Sequence, residues 1–217
     1  MRSRTALHVV ARTIVLLSGA TLPLPAIAQS KQDKQISALL ARPPQVLLPL
    51  ITVKGDSLDP RIEVHTKGVT ALVSKGLLAS TTTENSFLRA FIDRKTGDVS
   101  AQVYHYATDS GRSAPSFRRA TYETPDGIRE VEADRVGFDV SCARYGCTYY
   151  EDVIFPINFA TLEAAAKLYD ASRPANGIEY RLFGQSGVTV DEGLPVNEIA
   201  AFVAVVNRER AKLKPSN

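Results

Sequence analysis

Short runs along the chain alternate apolar and polar residues with the period of two that marks half-buried strands. Arg61 to Thr66 sets Ile62 and Val64 between charged neighbours, which predicts a strand. Phe87 to Arg94 and Asp98 to Ala107 flank Lys95-Thr96-Gly97, a three-residue hairpin connection with glycine at the left-handed position. Pairing Arg94 with Asp98 puts Phe87, Phe91, Val99, Ala101 and Val103 on one face, together with Arg89 and His105. Leu88, Ile92, Tyr104 and Tyr106 occupy the other face, so both sides of this hairpin are expected to be partly covered.

Further strands are predicted over Phe117 to Thr124 and Ile128 to Ala133, joined through the turn Pro125-Asp126-Gly127. Asp134 to Cys142 and Cys147 to Pro156 form a second strong hairpin, and Ile178 to Gly184 reads as a returning strand. Val46 to Val53 is expected to be an edge strand, since Pro49 removes a ladder donor. Val69 to Leu78 fits no single period, Ser80 to Ser86 reads as a polar loop, and residues 108–116 as a Ser/Gly/Pro loop.

Two stretches change period. Thr161 to Asp170 lines up Leu162, Ala165, Ala166 and Tyr169, with Pro174 and Gly177 beyond its end. Pro195 to about Lys212 places Ile199, Phe202, Val203 and Val206 at helical spacing. Strands arrive in hairpins instead of alternating with helices. The fold class expected is therefore α+β: a bent antiparallel β-sheet built from hairpins and packed with two α-helices, about 161–170 and 195–212.

The amino terminus adds a destination. Arg2, Arg4 and Arg12 precede an apolar run from Ile14 to Leu22, then Pro23, Pro25 and Ala26-Ile27-Ala28. A basic start, a short apolar core and an A-x-A ending describe a cleaved secretory signal. The expected organisation is residues 1–28 as signal peptide, 29–45 as a polar leader or short surface helix, and 46–217 as one α+β domain. Cleavage after Ala28 places the mature protein in the periplasm or outside the cell. It leaves no apolar run near the ~20 residues of a transmembrane segment.

Cleavage also resets the charge. The whole chain holds 26 Lys+Arg and 23 Asp+Glu, and the first 28 residues hold three arginines and no acid. The mature 189 residues thus carry 23 of each sign and lack the positive footprint that phosphate neutralisation needs, so nucleic acid is not an expected partner.

Gly55-Asp56-Ser57-Leu58 resembles the signature block of the GDSL-type esterases and lipases, which would make Ser57 a nucleophile. The resemblance implies a histidine near the C-terminus, three residues after an aspartate, to take the serine proton. The mature chain has only His65 and His105, neither in that spacing, and no Gly-x-Asn-Asp block. The preferred reading is a turn supplied by Asp56, Ser57, Asp59 and Pro60. Gly184-Gln185-Ser186-Gly187 is one residue short of a nucleophile elbow and reads as a loop.

Cys142 and Cys147 flank four residues at a hairpin tip, within disulfide reach and too far apart for a redox motif. No other zinc ligand lies beside them. In an exported chain the expected state is a structural disulfide. Pairing them sets Val140 opposite Tyr149, Phe138 opposite Glu151 and Val136 opposite Val153. Glu151 then falls on an apolar face. It is expected either in a ligand pocket with Arg89 and His105, turned outward by a bulge, or ion-paired with Arg89. Tyr145, Tyr149 and Tyr150 offer a partner surface near the tip.

The function expected is an exported, non-catalytic binding or interaction module whose partner is a protein or small molecule of the cell envelope. The alternative is a small-ligand carrier with a cavity between sheet and helices. The esterase reading comes third. No cofactor and no metal is expected.

Overall fold

The computed structural model describes residues 31–69, 72–75, 80–83, 86–144, 146–172 and 176–213. The proposed signal and Tyr145 lie outside them. Two helices come first, α1 (Lys31–Leu40) and the single turn α2 (Pro44–Leu47), followed by a 3-10 turn, Leu48–Leu50. Then come β1 (Thr52–Lys54), β2 (Arg61–His65), β3 (Leu72–Lys75), β4 (Ser80–Thr83), β5 (Ser86–Asp93) and β6 (Val99–Asp109). β7 (Phe117–Thr124), β8 (Gly127–Glu132), β9 (Asp134–Ala143) and β10 (Gly146–Ile157) lead to α3 (Phe159–Ala166). The chain closes with β11 (Asn176–Gly184), β12 (Thr189–Pro195) and α4 (Val196–Leu213).

The α+β architecture of antiparallel hairpins is present, with its strands divided between sheets. One sheet has the order β1-β2-β5-β6-β10-β9, a second β12-β11-β7-β8, and β3 pairs with β4. The two larger sheets meet where β8 becomes β9: Ala133 is buried and its N–H donates to the Arg118 carbonyl at 3.0 Å. Inward residues of both sheets form one apolar core with α4, which packs against α2, α3, β2, β5, β11 and β12. The expected stripe Ile199, Phe202, Val203 and Val206 is buried, and so are Ala201 and Val205. So many apolar neighbours leave α4 enclosed on most sides.

Three expectations are corrected. Val46 to Val53 is not one edge strand. Pro44 sits at the first helical position, where its missing N–H costs nothing, and the chain turns through α2 and the 3-10 turn before β1 begins at Thr52. Ser80 to Thr83 is a strand paired with β3. The β5–β6 register is one residue from the expected one: Asp93 lies opposite Asp98, with its N–H on the Asp98 carbonyl at 2.9 Å. Asp93 Oδ1 accepts from the Lys95 and Thr96 amides at 2.8 and 3.0 Å, which starts the turn one residue early. A one-residue slip exchanges faces. Leu88, Ala90 and Ile92 therefore join Ala101, Val103 and His105 on the core side, while Phe87, Arg89 and Phe91 join Gln102 and Tyr104 on the outer side.

Candidate functional site

The registers decide where each candidate residue lies. Arg89 and His105, expected side by side, are on opposite faces of the six-stranded sheet. His105 faces the core and its Nδ1 lies 2.8 Å from the Tyr180 hydroxyl on β11. Burial drops the His105 pKa to about 4, and burial is also the main cause holding the Tyr180 phenol far above its usual value. Nearby, Thr66 donates its hydroxyl hydrogen to Glu198 Oε1 at the start of α4 and accepts the Leu88 amide at 2.9 Å. These groups satisfy one another across the core.

Glu151 also faces inward, 1% exposed. Its Oε1 accepts the Ser116 amide at 2.8 Å and its Oε2 the Phe117 amide at 3.2 Å, both at the entry to β7. The cation beside it is Arg135, 3.4 Å away and 29% exposed, not Arg89. A bulge between Asp152 and Val153 puts Arg135 opposite Val153, where Val136 was expected, and leaves Glu151 buried. The Arg135 guanidinium covers the Phe138 ring at 4.7 Å. This carboxylate ties the six-stranded sheet to the four-stranded one. Arg89, His105 and Glu151 are not brought together in one cavity.

The hairpin tip follows its expected register, with Cys147 opposite Cys142, Tyr149 opposite Val140 and Glu151 opposite Phe138. The cysteines form a disulfide with Cα atoms 4.0 Å apart, the close spacing of a pair that exchanges no ladder hydrogen bonds. Val140, two residues away, belongs to the same kind of pair, so its N–H points to the free edge of β9. There the Asp139 carboxylate accepts it at 2.8 Å. The edge is thus guarded twice, by this carboxylate and by the bulge, against addition of another strand. Its apolar side chains are not covered: Phe138 is 50% exposed and Val140 43%, and on the opposite face of the ribbon the β10 residue Tyr150 is 42% exposed. Tyr149 stacks on Phe138 and donates its hydroxyl to the Arg112 carbonyl at 3.3 Å.

Ser57 lies in an exposed turn. The Asp56 amide donates to Asp59 Oδ2 at 2.8 Å, and the Leu58 amide to Asp56 Oδ1 at 2.7 Å. Gly55 has φ 115°, and a Cβ there would meet the Arg61 carbonyl at 2.8 Å, so its glycine answers to the backbone. Gly184 to Gly187 is the β11–β12 loop, closed by the Gly184 amide on the Val188 carbonyl at 2.8 Å.

The outer face of the six-stranded sheet carries a feature the sequence reading missed. Phe87 and Tyr104 stack at 4.7 Å, Tyr106 leans on both, and His65 meets Phe87 edge-on. Arg89 lies over Phe91 at 5.3 Å and Tyr104 at 5.6 Å, and Lys67 over Tyr106 at 5.6 Å. With its oxygen turned to Arg89, the Gln102 amide accepts from Nη2 and Nε at 2.8 and 2.9 Å. Burial, with the Asp152 carboxylate alongside, pushes the Tyr104 hydroxyl up to about 12.

The chain matches no family model, no curated protein and no solved structure. Among the described residues, no group of three or more His, Cys, Asp or Glu is placed to hold a metal ion. No described helix is long and apolar enough to cross a membrane.

Proposed function

We propose that this chain is an exported, non-catalytic interaction module that presents the β9–β10 hairpin to a partner of the cell envelope. The observation that carries the reading is the uncovered apolar pair Phe138 and Val140 on one face of a cross-linked ribbon, with Tyr150 exposed on its other face. These side chains stay exposed although both strands belong to the main sheet. Exposed aromatic and aliphatic groups on a rigid support lose little conformational entropy on binding. Export is supported by the basic, apolar, A-x-A pattern of residues 1–28 and by the disulfide, a bond that persists in oxidising compartments. The non-catalytic part is supported by the partners already held by His105 and Glu151 and by the turn chemistry around Ser57.

Hydrogen–deuterium exchange with and without cell-envelope extract tests the reading. The result expected is slowed exchange confined to residues 138–150 and lost in Phe138→Ser. Unchanged exchange across the hairpin overturns it, as does fluorophosphonate labelling of wild type that disappears in Ser57→Ala.

A further inference from the structure

The two larger sheets end in the outer strands β1, β9, β12 and β8. An outer strand offers unpaired N–H and C=O groups, which proteins usually blunt. β1 is three residues long, the Asp139 carboxylate and a bulge guard β9, and β12 contains Gly193 and ends on Pro195. β8 has none of these devices. Its six residues include no proline or lysine, and its register on β7 runs unbroken from Thr124–Gly127 to Arg119–Glu132.

The ladder itself says which groups are free. The Ala133 amide donates to the Arg118 carbonyl, and an antiparallel ladder alternates bonded with non-bonded pairs. Arg129 and Val131 therefore bond to β7, while the N–H and C=O groups of Ile128, Glu130 and Glu132 point off the edge. Among the described residues, no strand pairs with them.

Grooves flank this edge on both sides, and Ile128 borders each. One, of about 490 Å³, lies between β8 and the start of α3, with Arg129, Asn158, Ala160 and Thr161 in its wall. The other, of about 700 Å³, lies on the outer face of the four-stranded sheet, beside Glu123, Glu179, Arg181 and Asp191. On that face Asp191 holds Arg181, and Glu130 holds Arg119 at 3.3 Å. Among the described residues, Glu123, Glu132 and Glu179 have no ion-pair partner, so the face keeps a negative excess.

We infer that β8 accepts an antiparallel strand from a partner protein, supplied by an extended segment with basic side chains at alternate positions. Lys or Arg stands opposite Glu130 and Glu132, an apolar residue opposite Ile128, and the intervening side chains enter the groove beside α3. Main-chain bonds supply the affinity, and charge selects the partner. A second copy of this chain fits worse. Two-fold antiparallel pairing through the outward groups sets Glu130 opposite itself, Glu130 opposite Glu132, or Arg129 opposite itself. The edge does not include the β9–β10 tip, so the inference stands independently of a hairpin partner.

The test is amide-resolved NMR titration of the folded protein with acetyl-Lys-Thr-Lys-Thr-Val-Thr-amide. Two control peptides run in parallel, one with glutamate at both lysine positions and one N-methylated at both lysines. The expected result is shift changes and slowed hydrogen exchange at the Ile128 and Glu130 amides with the basic peptide. Either control should bind weaker by about tenfold or more. Ile128→Pro removes an outward N–H and no ladder bond, so it should keep the fold and weaken the basic peptide about tenfold, while Phe138→Ser leaves binding unchanged. The N-methylated peptide reads the same bonds without altering the protein. No shifts at these two amides in the wild type overturns the inference, as does equal binding of either control. Shifts at Ile128 and Glu130 that grow with protein concentration alone overturn it too, assigning the edge to a second copy.

Discussion

Glu151 and Ser116 stand 35 residues apart in sequence, yet the Ser116 amide donates to the Glu151 carboxylate at 2.8 Å. The next amide, Phe117, goes to the other oxygen. One buried carboxylate therefore fixes where β7 begins relative to β10. Ser116 holds φ 53°, unusual for a residue with a side chain, and its carbonyl accepts the Gln185 amide at 3.2 Å. The β11–β12 loop is thus tied to the same point.

Glu151→Gln turns an NH2 group toward one of those two amides and leaves Arg135 without its counter-charge. Removing one partner of a buried charged pair costs about 3 kcal/mol. Urea denaturation should show that loss. Arg135→Ala should lose less, about 1 kcal/mol, because the buried carboxylate keeps its two amide donors and only a partly solvated cation is removed. Equal losses for the two variants would contradict a staple centred on the carboxylate.

His105 sets an acid limit on stability. Its folded pKa of about 4 lies below the ordinary 6.5, so between those values the unfolded chain binds a proton that the folded chain does not. Stability is thus complete above pH 6.5 and declines as pH falls toward 4, by about 3 kcal/mol at most from this group. Chemical denaturation of wild type and His105→Gln at pH 7 and pH 4.5 should show a steeper fall for the wild type. Parallel curves would remove His105 as the cause.

The hairpins were legible in the sequence because turn residues and apolar alternation agree. The cysteine pair alone gave the register that puts Glu151 opposite Phe138. What escaped was set by side chains acting on the backbone. The Asp93 carboxylate shifts the β5–β6 turn by one residue, which carried Phe87 and Arg89 to the wrong side in the sequence reading and hid the outer aromatic face. β12 reads as acidic, contains Gly193 and ends on Pro195, so its strand character comes from pairing with β11 and not from propensity. The docking of α1 depends on the Asn197 amide, which donates to the Leu39 and Arg42 carbonyls at 3.0 and 2.9 Å. A contact between residues 158 apart in sequence leaves no local pattern to find.

The disulfide closes a small ring, so its stabilisation is limited to about 2 kcal/mol of loop-closure entropy. Replacing both Cys142 and Cys147 by Ser should lower the denaturation midpoint modestly and accelerate exchange mainly within residues 141–148. Global unfolding on reduction would show that the staple supports the whole sheet and not its tip.

Phe138→Ser removes half-exposed apolar surface and should change stability by no more than about 0.5 kcal/mol. A large destabilisation would mean that Phe138 serves the fold through Arg135 and Tyr149, leaving the hairpin with no surface to spare.

A photoreactive benzoylphenylalanine at position 138, compared with one at the 90% exposed Leu58, tests the interaction reading most directly in the producing cell. The account expects a discrete cross-linked product from position 138 in the envelope fraction and none from position 58. The same diffuse products from both positions, or none from 138, contradict it.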